Sequence, residues 1–109
     1  MTRGEIWIVA AGQGYAGKPR PAVILQNNRF DATASITICP FTTEQTEAPL
    51  IRLRVEPSAG NGLRLPSHLM VDKIMTVPKV KIGRRVGRLQ DEDMVRLNRA
   101  ILLFLGLGG

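Results

Sequence analysis

The hydrophobic pattern of this chain changes its period once, near residue 90. Before that point, short apolar runs of strand length alternate with segments rich in glycine and proline. From Asp91 onward, apolar residues recur at helical spacing between an acidic first turn and Gly106. The pattern predicts an α+β fold: a small, mostly antiparallel barrel or curled sheet with one carboxy-terminal helix. The helical stripe, predicted to pack in the core or in a dimer, comprises Met94, Val95, Leu97, Ile101, Leu102, Phe104 and Leu105.

The strands are predicted from the apolar runs and their boundaries. The segment 50–56 alternates cleanly, with apolar residues on one face and Arg52, Arg54 and Glu56 on the other, as in a half-buried antiparallel strand. Pro40 is expected to end a strand, and the segment 57–66 is expected to be a loop. The predicted strands are 6–11, 22–26, 35–39, 50–56 and 68–74, with a weaker extended stretch after residue 78.

Length and composition indicate a single globular domain over residues 1–109, with 44% hydrophobic and 22% charged residues. One cysteine and one histidine exclude an internal disulfide and provide no spaced set of zinc ligands, so no metal or other cofactor is predicted. Cys39 is expected to be a small core hydrophobe.

The amino terminus lacks the apolar core of a signal peptide and the last ten residues are too short to span a bilayer, so we expect a cytoplasmic protein.

The net charge of +6 favours an anionic partner, such as a nucleic acid, an acidic protein segment or a membrane surface. No acidic residue lies between Asp72 and Asp91, whereas basic residues recur there from Lys73 to Arg88. This run is either a solvated face or a surface that binds phosphate groups or an acidic partner segment.

Arg20 stands between two prolines, directly before the apolar run 22–25. Because proline fixes its own backbone and restricts the residue before it, Arg20 is predicted to be held extended at the mouth of a buried strand. The glycine-rich loop before it carries Gln13, Tyr15 and Lys18. The alternative is that Pro21 only begins a strand and Arg20 is solvated.

Four other polar residues stand where they could carry chemistry. Thr42 and Thr43 follow the third predicted strand; as an alternative, they are turn residues bonded to the local backbone. Asp72 lies in an apolar strand and needs a partner if it is buried, so it is either functional or part of an ion pair with Lys73 or a distant arginine. His68 is interpreted as an exposed or packing histidine.

Five motifs in order resemble the MazF/PemK (Kid) toxins of bacterial toxin-antitoxin systems, over nearly the whole chain. They are Arg3-Gly4-Glu5-Ile6-Trp7, the segment 17–25 with Arg20-Pro21, Cys39-Pro40-Phe41-Thr42-Thr43, Val71-Asp72-Lys73-Ile74, and Gly87-Arg88-Leu89 before the helix.

The resemblance implies an SH3-like barrel shared with the CcdB toxins, a homodimer, and inhibition by a cognate acidic antitoxin. It also implies metal-independent cleavage of single-stranded RNA at short sequences, with the ribose 2'-hydroxyl as nucleophile. Carried over by motif, the catalytic residues are Arg20 as the positive charge, Thr42 as a donor to phosphate and Asp72 as the base. Partial burial is expected to raise the pKa of Asp72 toward a useful value. The residues predicted to contact RNA are Tyr15, Lys18, Thr43 and Lys73.

Two departures from the family pattern affect the predicted mechanism. Many members carry a carboxylate in the first loop, where this chain has Gln13-Gly14-Tyr15, so Tyr15 is predicted to stack on a base instead. The Kid branch has an arginine, proposed as the general acid, where this chain has Met70. The proton donor is therefore unassigned, with Arg20 and Lys18 as candidates.

Two alternative functions are compatible with the same fold. CcdB toxins bind DNA gyrase without chemistry, through carboxy-terminal residues that include a tryptophan, whereas Trp7 is the only tryptophan of this chain. The other alternative is a basic barrel that binds RNA without cutting it, which the missing loop carboxylate would suit.

Overall fold

The computed structural model describes residues 1–10 and 18–108. Within these residues, neighbouring antiparallel strands follow the order β4-β5-β3-β2-β1-β7, and β6 pairs separately with β3. The elements are β1 Glu5–Val9, β2 Arg20–Ile24, β3 Ser35–Thr42, β4 Arg52–Val55, β5 Ser67–Met70, β6 Met75–Pro78, β7 Ile82–Arg88 and the helix α1 Asp91–Phe104.

The central strands are buried on both faces of the sheet. In β2, Val23 belongs to a core cluster that also contains Leu97 of α1. Its neighbours Ala22 and Ile24 belong to a second cluster with Ile36 of β3. Because consecutive strand residues point to opposite faces, a continuous apolar run such as that of β2 places one core on each side of the sheet.

Cys39 is fully buried in the cluster beneath α1, as predicted for a small core hydrophobe. Burial raises the pKa of the Cys39 thiol to about 12, with the negative charge of Asp72 as a second cause. The thiol is therefore protonated and unreactive at neutral pH.

The predicted carboxy-terminal helix is confirmed. It begins with acidic residues in its first turn and is followed by Gly106, whose φ of +73° is the left-handed conformation that glycine adopts readily. Leu97 and Ala100 are buried against the sheet. The rest of the stripe only partly packs there, because four of the residues predicted to belong to it are exposed: Val95, Leu102, Phe104 and Leu105.

The prediction that Pro40 ends the third strand is wrong, since β3 continues to Thr42. The first part of β3 pairs with β6 as far as Ile38, and pairing with β5 begins at Phe41. Pro40 therefore lies between the residues of β3 that pair with β6 and those that pair with β5. Its missing N–H interrupts neither of these two hydrogen-bond ladders.

The segment predicted as one strand over 68–74 is two elements. The strand β5 ends at Met70, and Val71–Lys73 form a 3-10 turn that places Asp72 outside the sheet. The next strand, β6, was not predicted. It pairs with the first half of β3, whereas β5 pairs with the second half, so the turn lets the chain pass from one half of β3 to the other.

The mostly antiparallel sheet with one carboxy-terminal helix is confirmed. The predicted barrel is confirmed only in part, because the ladder of the described strands ends at β4 and β7, and these two strands do not pair with each other. None of the helices in the described ranges is both long enough and apolar enough to cross a membrane.

Candidate active site

A cavity of about 530 Å³ is bounded by the start of β2, the end of β3, β4 and the turn after β5. We call it the reaction cavity. It brings together four residues that the sequence singles out: Arg20, Thr42, Asp72 and Lys73. The other lining residues are Glu44, Arg52, Met70, Ile74 and Met75.

Arg20 is the first residue of β2, and a proline on each side restrains its backbone. The antiparallel pairing of β2 with β3 aligns Ala22 with Pro40. Continued by two residues, this register places Arg20 opposite Thr42 on the same face of the sheet. Strand pairing thus brings the cation and the hydroxyl to one cavity, although they are far apart in sequence.

Thr42 is the last residue of β3 and is only 7% exposed. Its Oγ1 accepts a hydrogen bond of 3.1 Å from the backbone N–H of Glu44. This is the local backbone bond expected of a turn residue. Because the bond uses the oxygen as acceptor, the hydroxyl proton of Thr42 can still be donated to a ligand in the reaction cavity.

Of the residues predicted to contact RNA that the structure describes, Thr43 and Lys18 do not line the reaction cavity. Thr43 is exposed and lines a different cavity beside Pro21 and Arg64, since successive residues of an extended segment point in opposite directions. Lys18 is exposed just before β2 and is not part of the reaction cavity lining. Tyr15 lies outside the described residues.

Asp72 forms a two-point ion pair with Arg52 of β4. The Arg52 Nε donates to Asp72 Oδ1 at 2.8 Å, and Arg52 Nη2 donates to Asp72 Oδ2 at 3.0 Å. This is the interaction with a distant arginine that the sequence left open as an alternative. A planar guanidinium held at two points has a fixed orientation, so Asp72 positions Arg52 in the cavity.

The hydrogen bonds from Arg52 lower the pKa of Asp72, and burial acts in the opposite direction without overcoming them. The expected rise in the pKa of Asp72 is therefore wrong. A carboxylate with a lowered pKa is ionised at neutral pH and is a weaker proton acceptor than a carboxylate whose pKa is raised.

The same shift predicts how stability depends on pH. We expect Asp72→Asn to lower the free energy of unfolding by about 2 kcal/mol at pH 7, because Arg52 loses its charged partner. Since the pKa of Asp72 is lower in the folded state, its contribution is complete above about pH 5 and is lost as pH falls through the folded pKa. Urea unfolding of both proteins from pH 7 to pH 3 measures this difference.

A matched control for this experiment is Asp31→Asn, which removes an exposed carboxylate. The stability difference between wild type and Asp72→Asn should shrink toward acid pH, whereas Asp31→Asn should differ little from wild type throughout. A stability difference for Asp72→Asn that stays constant down to pH 3 would contradict the pairing.

Comparison with known proteins identifies the family. A family model described as a PemK-like, MazF-like toxin of type II toxin-antitoxin systems matches residues 2–105. The chain belongs to this toxin family. The probable endoribonuclease MazF of Mycolicibacterium smegmatis is 55% identical to this toxin over 109 residues, covering 100% of both chains. Endoribonuclease MazF9 of Mycobacterium tuberculosis is 28% identical over 116 aligned residues, covering 98% of each chain.

Solved structures support the same family. A mycobacterial endoribonuclease in complex with its cognate antitoxin matches this toxin with a TM-score of 0.82 at 25% identity, covering 100% of this chain and 98% of the other. The Mycobacterium tuberculosis toxin MazF-mt6 matches with a TM-score of 0.82 at 27% identity, covering 96% and 99%. The resemblance predicted from the sequence motifs is confirmed.

Arg52 is one of the cavity residues that the sequence motifs left without a role, and its side chain pairs with that of Asp72. The sequence pattern placed Arg52 on the polar face of an alternating strand, where side chains are usually exposed to solvent, so it did not indicate a functional residue. In the structure, Arg52 is the direct cross-strand partner of Met70. Its guanidinium therefore occupies the neighbourhood of the position where the Kid branch carries an arginine.

The reaction cavity of this toxin suits a phosphodiester. Its lining holds three cations, Arg20, Arg52 and Lys73, and two carboxylates, Asp72 and Glu44, so positive charge is in excess even with Arg52 paired to Asp72, and the Thr42 hydroxyl provides a neutral donor. Fixed donors of this kind stabilise negative charge that develops on phosphate oxygens during attack at phosphorus.

Proposed function

We propose that this toxin is an endoribonuclease that cleaves single-stranded RNA, including messenger RNA, without a metal ion. The ribose 2'-oxygen attacks the adjacent phosphorus, and the bond from phosphorus to the 5'-oxygen breaks. The products carry a 2',3'-cyclic phosphate and a 5'-hydroxyl. The observation that carries this proposal is the convergence of Arg20, Thr42 and the Arg52–Asp72 pair on one cavity, in a chain similar to named endoribonucleases.

Arg20 and Thr42 are proposed to bind the scissile phosphate. Arg20 stabilises the charge that builds up on the phosphorane oxygens, because its planar, positively charged fork matches two of them. Thr42 donates its hydroxyl proton to a third oxygen. Together they bind the transition state more tightly than the substrate.

The roles of Asp72 and Arg52 are proposed from their ion pair. The proton of the 2'-hydroxyl must leave and the 5'-oxygen must gain one. That Asp72 accepts the first proton remains a prediction, and its lowered pKa argues that positioning Arg52 is its larger role. Arg52 would place its charge beside the leaving 5'-oxygen. This is the role that the Kid branch gives to an arginine at the position of Met70 in this chain.

RNA contacts outside the reaction cavity follow the sequence-based predictions. Lys73 lines the cavity and is proposed to contact the RNA backbone there. Lys18, Thr43 and Tyr15 are proposed to contact flanking nucleotides, with Tyr15 stacking on a base.

We further propose that the toxin is a homodimer with an SH3-like barrel, acts in the cytoplasm and is inhibited by a cognate acidic antitoxin. Support for an antitoxin comes from relatives solved in complex with antitoxins. Support for a dimer comes from the exposed apolar residues of α1, including Val95, Leu102 and Phe104, since a second copy would remove this surface from water. The net charge of +6 suits an acidic antitoxin segment.

The ribonuclease activity is tested directly with purified toxin and a long transcript of mixed sequence in EDTA. We expect cuts at a short recurring sequence and fragments that end in 2',3'-cyclic phosphate, because the nucleophile belongs to the RNA itself. End-specific ligation followed by sequencing identifies both the ends and the cut sequence.

Two further assays of the same protein give results that would contradict the proposal. RNA binding in a gel-shift assay without cleavage would favour the non-cutting alternative. Inhibition of DNA gyrase supercoiling without RNA cleavage would favour a CcdB-like activity, which the names of the relatives already disfavour.

A further inference from the structure

A second cavity, of about 380 Å³, adjoins the reaction cavity. We call it the His68 cavity. Arg52 lines both cavities. The His68 cavity is also lined by Glu47, Arg54, His68 and Arg96, and its volume is within the range of small-molecule sites.

Strand pairing places the two cavities side by side. His68 of β5 is the direct cross-strand partner of Thr42 in β3 and of Arg54 in β4. Directly opposed residues on one face of a sheet have Cβ atoms about 4.5–5.5 Å apart. A group in the His68 cavity would therefore be next to a phosphate bound at Thr42, as a neighbouring nucleotide of the same strand would be.

His68 is 93% buried, since its exposed fraction is 7%, and its Nδ1 has no hydrogen-bond partner among the described residues. The tautomer of a histidine is normally set by the bond that one ring nitrogen makes to the protein. Without such a bond, Nε2 of His68 can either donate to a ligand or accept from it. Because Nδ1 is enclosed by the protein, Nε2 is the ring nitrogen that a ligand in the cavity can reach.

The charges around the His68 cavity distinguish among possible ligands. Arg54 pairs with Glu56 at 2.8 Å, and Arg96 pairs with Asp93 at 2.8 Å. Their positive charge is largely balanced, and Glu47 adds a carboxylate to the lining. A guanidinium paired with a carboxylate still has a planar face on which a base can stack. The Glu47 carboxylate and the His68 imidazole can form hydrogen bonds with the donors and acceptors on the edge of a base. This combination suits a nucleobase better than a phosphate.

We propose that the His68 cavity binds one base of the RNA, adjacent to the scissile phosphate, and thereby sets part of the cleavage sequence. This proposal rests on the ribonuclease activity proposed above. Nε2 of His68 and the Glu47 carboxylate contact the base edge, and a guanidinium of Arg54 or Arg96 covers its face.

The test is the cleavage profile of variants on the same long transcript. For His68→Ala and Arg96→Ala we expect the preference at one position beside the cut to fall by about tenfold or more, because one base contact or stacking interaction is lost. Preferences at the other positions should persist. Arg96 is exposed on α1, so its variant tests the cavity without the risk of unfolding that His68→Ala carries.

The matched control is Arg99→Ala, which removes an exposed arginine one turn further along α1 and outside the lining of the His68 cavity. It should leave the profile unchanged. His68→Gln, which keeps a donor and an acceptor, should retain more of the preference than His68→Ala if the ring reads a base edge.

Several outcomes would overturn the proposal. Uniform slowing at all sites in both variants would indicate a phosphate contact, since phosphate contacts carry no sequence information. An unchanged profile combined with weaker inhibition by the antitoxin would assign the cavity to that protein. If the wild type cuts no RNA, the ribonuclease proposal itself fails; if it cuts and both variants keep its profile, only the nucleobase site fails.

Discussion

Replacing Arg20 with alanine is expected to slow RNA cleavage by about a hundredfold or more, because a fixed cation that meets the developing phosphorane charge is lost. The prolines around Arg20 and its strand pairing with Val9 hold the backbone, so the variant should remain folded. The effect should appear in kcat more than in KM, since the interaction strengthens in the transition state. Single-turnover rates on a short RNA containing the mapped cut sequence measure it.

Two further variants sharpen this experiment. Arg20→Lys keeps the charge but loses the planar fork, so its rate should lie between those of wild type and Arg20→Ala. Arg29→Ala removes an exposed arginine in the 3-10 turn Asn28–Phe30, away from the reaction cavity, and should cut at the wild-type rate. Wild-type cutting by Arg20→Ala would remove Arg20 from the mechanism.

The sequence predicted the element types well because hydrophobic period is a local property. The helix over Asp91–Phe104 and the alternating strand around Leu53 both follow from it. The errors arose where tertiary pairing decided the outcome. Pro40 is tolerated inside β3 because the strand beside it changes there, and residues 71–73 form a turn because the chain passes between two partners of β3.

The candidate site was predictable only where motif order identified it. Arg20, Thr42 and Asp72 share a cavity, as the family resemblance implied. The role of Arg52 depends on its pairing with Met70, and the buried position of His68 depends on its pairing with Thr42. Such register is set by the whole sheet, so no local pattern in the sequence contains it.

Arg52→Met is expected to lower kcat by about a hundredfold, and Met70→Arg in the same chain to restore a substantial part of it. Arg52 and Met70 are direct cross-strand partners and both line the reaction cavity. A guanidinium placed at position 70 can therefore reach nearly the same space as one at position 52. Steady-state kcat and KM on the mapped substrate separate this effect from weaker RNA binding.

Removing Arg52 also leaves the Asp72 carboxylate without its two-point partner, and that carboxylate could itself repel RNA. The variant Arg52→Met combined with Asp72→Asn removes both charges and separates the two causes. If the Arg52 guanidinium acts on the reacting phosphate, this double variant is as slow as Arg52→Met and clearly slower than Asp72→Asn alone; a double variant no slower than Asp72→Asn would show that Arg52 only neutralises Asp72. Arg99→Met, outside the cavity, should cut normally, because the loss of an arginine matters only where its charge faces the phosphate.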